Sequence, residues 1–177
     1  MEIGASRIER TRELSKFCNR LIGVELIPQR LPKDFENVKY IIGDWQNLSE
    51  FIEQNSIDIA VSTHVIEHVK DDLKAINELY RVLKPGGVAL LTTPNRKRLT
   101  RAIIEIFTGE RKFPVWEHQR EYIESDLVNL LKASSFKNFK IIPLVLGLHG
   151  GPVFLYSESV NRNFRKFANY WKIDLFK

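Results

Sequence analysis

The stretch from Ile57 to Asn95 constrains this chain most, because it spells out a complete strand, helix and strand in succession. Ile57-Asp58-Ile59-Ala60-Val61 is a short apolar run rich in β-branched residues, followed by the polar Ser62-Thr63-His64-Val65-Ile66-Glu67-His68-Val69. That pattern predicts a buried strand and its exit loop. Asp71-Asp72 suits a helix N-terminus, and Leu73, Ile76, Leu79, Tyr80 and Leu83 recur at three-and-four spacing behind it. Lys84-Pro85-Gly86-Gly87 ends the helix, and Val88-Ala89-Leu90-Leu91-Thr92-Thr93 reads as a second buried strand closed by Pro94-Asn95. Two strands joined by one helix lie parallel with a right-handed crossover, so a ligand is expected at their carboxyl ends.

Three features of this stretch occur together: the "EHVKD" turn, the "RVLKPGG" helix end and the "TTPN" strand end. In that combination, "SIDIAVSTHVIEHVKDDLKAINELYRVLKPGGVALLTTPN" resembles the fourth and fifth strand region of class I S-adenosylmethionine-dependent methyltransferases. The similarity is strongest to the type 11 group that includes the ubiquinone- and menaquinone-pathway enzymes. The resemblance implies an α/β, Rossmann-like, doubly wound fold with a mostly parallel seven-stranded sheet and an antiparallel last strand. It also implies S-adenosyl-L-methionine as cofactor and a single methyltransferase domain over residues 1–177, with the first strand incomplete.

Composition sets outer bounds. A chain of 177 residues with 44% hydrophobic content can bury one sizeable core. Its net charge of +5 suits nucleic acid, anionic lipid or a phosphorylated partner, and equally an ordinary lysine-rich surface. Cys18 is the single cysteine, which excludes an internal disulfide, fits a reducing cytoplasm and disfavours a zinc knuckle. The sequence opens with no basic and apolar leader and contains no apolar run of about 18 residues, so a cytoplasmic protein without a transmembrane segment is expected. Its longest apolar stretch, Ile141 to Leu148, is interrupted by Pro143 and Gly147.

The N-terminal residues fit the resemblance with two departures. The family runs an apolar strand into Glu/Asp-x-Gly-x-Gly-x-Gly. Here Glu2 and Gly4 match, while Ser6 and Ile8 occupy the next two glycine positions. Glycines there allow a tight turn and close backbone approach to a cofactor, so Ile8 is expected to crowd the site. Thr11 to Cys18 reads as a helix, and Leu21 to Leu26 as the second strand. Glu25 lies 21 positions after Gly4, close to the ~20-residue interval at which an acid meets a ribose in dinucleotide folds. Spacing alone leaves it equally a solvated strand-end residue. The resemblance assigns Glu25 to the cofactor ribose and counts the adjoining Leu26 among the cofactor-binding residues. Residues 28 to 37 read as a loop or short helix, and Val38 to Ile42 as a third strand ending at Gly43-Asp44-Trp45. The resemblance places Asp44 against the adenine amino group and Trp45 on or near the ring; on the residues alone, this is a turn with a half-buried indole. Leu48 to Gln54 is expected to form a short helix. Glu2, Gly4, Ser6, Ser62 and His64 complete the cofactor set that the resemblance implies.

His64, Glu67 and His68 stand at i, i+3 and i+4, one face of a helical turn, and their side chains are of metal-ligating type. Ubiquinone-pathway O-methyltransferases use a related Glu-x-x-Glu-His set for a divalent ion. Here His64 replaces the first Glu, and the wider family carries the Glu-His pair without metal. No metal is therefore expected.

Past Asn95 the chain turns basic at Arg96, Lys97, Arg98 and Arg101, and again at Arg111 and Lys112. Leu99, Ala102, Ile103, Ile106 and Phe107 make an apolar stripe at helical spacing, so a helix with one buried face and a cationic lip is expected. If that lip borders an acceptor pocket it favours an anionic acceptor or a peripheral membrane surface; otherwise it is a solvated face. In "FPVWEHQREY", His118, Arg120 and Tyr122 resemble a family His-x-Arg-x-Phe/Tyr segment ahead of Leu127, Leu130 and Leu131. His118 is a candidate general base, with His64 as the second catalytic candidate, because imidazoles titrate near neutral pH. Its alternative role is to pin a loop by hydrogen bonding.

Phe139 to Leu146 reads as a sixth strand and His149-Gly150-Gly151-Pro152 as a turn. A last amphipathic helix is expected, with Val160, Phe164, Phe167 and Trp171 inward and Arg162, Arg165 and Lys166 outward, then a strand from Lys172 to Phe176. The resemblance points to a small-molecule or lipid-like acceptor. Two other classes remain open: a non-catalytic binding protein of the same fold, and an RNA methyltransferase. The second is disfavoured because "STHVIEH" stands where those enzymes carry Asn/Asp-Pro-Pro-aromatic.

Overall fold

The computed structural model describes residues 1–31, 37–109, 117–147, 154–155 and 164–177. Its strands are β1 (Glu2–Ile3), β2 (Leu21–Glu25), β3 (Val38–Ile42), β4 (Ile57–Thr63), β5 (Leu83–Pro94), β6 (Asn138–Leu144), β7 (Leu146–Gly147), β8 (Phe154–Leu155) and β9 (Tyr170–Phe176). The helices are α1 (Ile8–Ser15), α2 (Asp72–Val82), α3 (Leu99–Thr108) and α4 (Glu124–Ala133). Seven strands form one sheet in the order β3-β2-β1-β4-β5-β9-β6, and β7 and β8 pair separately. The pairings from β3 across to β5 are all parallel, while β9 runs antiparallel to both neighbours. The antiparallel strand, last in the chain, is thus inserted between β5 and β6.

The central unit folds as its pattern predicts. The Asp71 carboxylate caps α2 by accepting a hydrogen bond from the Lys74 amide at 2.9 Å. Ala75, Ile76, Leu79 and Val82 are fully buried, in one core with Leu48, Leu127 and Leu131. The strand after α2 begins earlier than expected, since Leu83 already pairs with Ile57. The register then slips between Ile57 and Ile59, and Gly86 absorbs the bend at φ +79. Ile59 is exposed, so β4 is buried on one side only at its start.

Several expectations change where tertiary contacts outweigh local pattern. Helix α1 starts at Ile8, not Thr11, because Arg10 and Thr11 turn inward onto Glu2. It stops at Ser15, where the Asn37 side chain donates to the Ser15 and Cys18 carbonyls. In place of a helix over Leu48 to Gln54 there is a kinked 3₁₀ segment, Trp45–Glu50, capped by Asp44. The described side chains of the α3 stripe are exposed, Ile106 and Phe107 at 79% and 84%, whereas Arg101 is only 6% exposed. Arg101 is drawn inward by Glu105 at 2.9 Å, which Arg96 also contacts at 2.5 Å. Of the expected last helix, the described part is a 3₁₀ turn at Arg165–Phe167 with Phe164 exposed, and Trp171 is buried within β9. Arg165 pairs with Glu124, whose oxygens lie 2.7 and 2.8 Å from its Nε, and lies over the Trp171 ring. The His149 turn, Val160, Arg162, Arg111 and Lys112 fall outside the described residues.

Candidate cofactor site

Strand order reverses between β1 and β4, whose following connections leave the sheet in opposite directions. A crevice at the carboxyl ends of strands is expected at such a switch point. A cavity of about 340 Å³ occupies it, lined by Gly4, Ser6 and Arg7 after β1, Glu25 and Leu26 at the end of β2, Asp44 and Trp45 after β3, and Thr63 and His64 at the end of β4. Four strand ends thus converge on one opening.

Gly4 makes the first wall. It sits at φ +75, its amide donates to the Val24 carbonyl at 2.8 Å, and a Cβ there would fall 2.4 Å from Val65 Cγ2. Glycine is therefore required both by conformation and by contact. Ser6 stays in the lining, but Ile8 does not: it enters α1 and leaves the opening clear. Glu2 does not line the cavity and lies beneath the loop. It is fully buried, its carboxylate accepting from Arg10 Nε at 2.5 Å and Thr11 Oγ1 at 2.7 Å, while Arg10 Nη2 also holds the Gly4 carbonyl.

Glu25 Oε1 accepts from the Ile27 amide at 3.0 Å. A carboxylate has about four acceptor sites, so most of its capacity remains. Asp44 accepts from the Gln46 amide and side chain at 2.8 and 2.9 Å, which fixes its orientation at the cavity edge. Trp45 is buried with its Nε1 lacking a hydrogen bond, and its ring forms part of the wall. Ser62 is buried outside the lining, so this position passes to Thr63.

His64 lies at φ +56, its amide bound to the Thr92 carbonyl at 3.0 Å. Its Nδ1 is 3.3 Å from Glu67 Oε1, and its ring meets Tyr170 edge-on at 5.0 Å. The turn is a 3₁₀ segment, Ile66–His68, and both His64 and His68 line the cavity. Residues 117–122 clamp this turn: the Gln119 amide donates to the Glu67 carbonyl at 2.9 Å, Arg120 reaches the Lys70 carbonyl and Asp72, and the Tyr122 hydroxyl donates to Asp72 at 2.9 Å. Burial, and next the Asp72 carboxylate, push the Tyr122 phenol well above its ordinary range, so it remains a donor. His118 belongs to this clamp and does not line the cavity. Its Nδ1 is 3.2 Å from Glu121, which Arg98 holds in a bidentate pair, and its ring lies edge-on to His68 at 4.7 Å. His68 is the imidazole of the two that reaches the opening.

The sequence reading missed His68, Arg7, Arg10 and Arg30 as lining residues. The cationic lip is also changed: Arg96 and Arg101 pair with Glu105 and Arg98 with Glu121, leaving Lys97 exposed. No helix among the described residues is long and apolar enough to cross a membrane.

Comparison with known proteins matches this geometry. The methyltransferase domain family matches residues 1–91. A probable S-adenosylmethionine-dependent methyltransferase from Mycolicibacterium smegmatis is 38% identical over 93 residues, covering 51% of this chain and 33% of that protein. The human mitochondrial ubiquinone biosynthesis O-methyltransferase is 24% identical over 181 residues, covering 95% of this chain and 49% of that protein. The chain thus spans about a third of the length of the first curated relatives it matches. Among solved structures, a SAM-dependent methyltransferase from Thermotoga maritima aligns over 99% of this chain and 80% of its own, with a TM-score of 0.69 at 22% identity. One from Archaeoglobus fulgidus aligns over 99% and 84%, with a TM-score of 0.70 at 16% identity. At those identities the structural likeness shows the fold, and the sequence match shows the family: the chain belongs to the methyltransferase domain family, in the Rossmann-like fold whose cofactor is S-adenosyl-L-methionine.

Proposed function

We propose that residues 1–177 form one methyltransferase domain that transfers a methyl group from S-adenosyl-L-methionine to a small-molecule or lipid-like acceptor in the cytoplasm. The observation that carries this reading is the convergence of Gly4, Glu25, Asp44 and Trp45 on the cavity at the strand switch point. Gly4 and Ser6 give backbone access to the cofactor's amino-acid end, Glu25 beside Leu26 accepts from the ribose hydroxyls, Asp44 accepts from the adenine amino group, and the Trp45 indole covers the base. When bound, the cofactor supplies an already activated methyl group, so alignment and exclusion of water account for most of what the protein must add.

The acceptor's proton is assigned to His64. His64 lines the cavity, with its Nδ1 3.3 Å from the buried Glu67 carboxylate. His118 acts from behind, holding His68 against the turn. The acceptor class is supported by two similar proteins, a demethylmenaquinone methyltransferase from Staphylococcus saprophyticus and the human ubiquinone enzyme. Among the described residues of the lip, Arg96, Arg98 and Arg101 are held in ion pairs and Lys97 is exposed, while Arg7, Arg10 and Arg30 line the cavity, which leaves an anionic acceptor compatible with the site; the exposed Cys18 thiol fits a reducing compartment.

The test is transfer of labelled methyl from cofactor to a panel of phenols, hydroquinones and lipid quinols. Transfer to at least one is expected, and His64→Gln is expected to lower kcat at neutral pH by about 10²–10⁴-fold. Full kcat in His64→Gln would remove the base assignment. Cofactor binding without transfer to any acceptor class, RNA included, would favour the non-catalytic reading.

A further inference from the structure

Behind the cavity wall, one cluster has the composition of a metal site. Glu67, His68 and His118 each offer a ligand atom, and these atoms lie within 4.8 Å of one another. Glu67 is completely buried. Its Oε2 accepts from Thr93 Oγ1 at 3.1 Å, while Oε1 makes no hydrogen bond, His64 Nδ1 standing near it outside hydrogen-bond geometry. A buried carboxylate with an unfilled oxygen calls for a cation or a donor.

The two imidazoles are oriented to supply lone pairs. His68 Nδ1 is 3.2 Å from the Glu117 carbonyl, which can only accept, so Nδ1 carries the proton and Nε2 is bare. His118 Nδ1 is 3.2 Å from Glu121 Oε1, an acceptor oxygen that Arg98 also holds, which assigns the same tautomer there. A carboxylate or carbonyl on one ring nitrogen with the other left free is the arrangement that orients metal-binding histidines. His64 is not part of the set, because the turn directs it toward Tyr170.

We propose that Glu67, His68 and His118 bind one divalent cation of the zinc class. Two nitrogens and one oxygen form a borderline donor set that favours zinc or cobalt over magnesium. Ligands about 2.1 Å from one tetrahedral ion stand roughly 3.4 Å apart, so the cluster closes by rotation of side chains, chiefly that of the half-buried His68. The site joins the turn after β4 to the 117–122 clamp. It does not depend on the methyl-transfer reading, because metal binding and cofactor binding are measured separately.

The experiment uses the full chain stripped with chelator and titrated with Co²⁺, followed by Zn²⁺ in competition. One equivalent of Co²⁺ giving the visible bands of a low-coordinate nitrogen and oxygen site, displaced by Zn²⁺ and not by Mg²⁺, is the expected result. His118→Gln and His68→Gln should each weaken binding at least 100-fold, and Cys18→Ser should leave it unchanged. If His118→Gln loses its circular dichroism, the decision passes to His68→Gln, whose ring lies at the cavity edge. Absence of stoichiometric binding, or binding that survives both substitutions, would overturn the proposal.

Discussion

Gly4→Ala is expected to destabilise the fold by about 2–5 kcal/mol and to weaken cofactor binding at the same time. The left-handed conformation at φ +75 costs an alanine about 1–2 kcal/mol, and forcing a methyl group to 2.4 Å from Val65 Cγ2 adds about 1–3 kcal/mol. For a chain of this size the total corresponds to a melting temperature lower by roughly 5–15 °C. The two costs can be separated: Val65→Ala in the Gly4→Ala background should relieve the contact and leave the backbone cost. The coupling energy in that double-mutant cycle is expected at about 1–3 kcal/mol. Denaturant unfolding of the four proteins measures it. A coupling near zero would mean that the Gly4 loop and the His64 turn do not touch as described.

Leu79→Ala should be equally destabilising and functionally silent. Leu79 is fully buried on α2, where the helix meets the Trp45–Glu50 segment and α4, and it is not part of the cavity wall. Deleting a buried leucine side chain costs about 2–5 kcal/mol, in part as lost transfer free energy and in part as the cavity left behind. Measured below its lowered transition, the variant is expected to bind cofactor as the parent does. Gly4→Ala and Leu79→Ala therefore lose comparable stability while differing in affinity, which separates damage to the site from damage to the fold.

The parts of the fold legible in the sequence were those in which local chemistry and tertiary packing agree. The unit around α2 satisfies its capping carboxylate and its helical apolar period together and folds accordingly, although α2 ends at Val82, before the glycines, which lie within β5. Helix α3 shows the opposite case. Its apolar stripe has the correct period, but a period does not say which way a face turns. The ion pairs of Glu105 with Arg96 and Arg101 turn the arginine side inward. Trp171 looked helical by spacing, yet pairing with β5 and β6 makes it a strand residue.

The site was read in the same uneven way. The interval after Gly4 singled out Glu25 without deciding its role, and the family resemblance singled out Asp44; both stand at the cavity. Arg10 was not singled out, because its role is a contact with Glu2 and Gly4 made by folding α1 back over β1. The meeting of His68 and His118 joins residues 50 positions apart, and no local pattern encodes that. The clamp that unites them is visible only from the hydrogen bonds between residues 117–122 and the turn.

Calorimetric titration of the purified chain with S-adenosyl-L-methionine, and separately with S-adenosylhomocysteine, tests the central claim most directly. The account predicts one cofactor per chain, with affinity falling by about 10–100-fold in Glu25→Ala and again in Asp44→Ala, the range for losing a hydrogen bond to a charged group. Binding of neither ligand to the parent chain, or binding that is unaltered when both acids are removed, would contradict it.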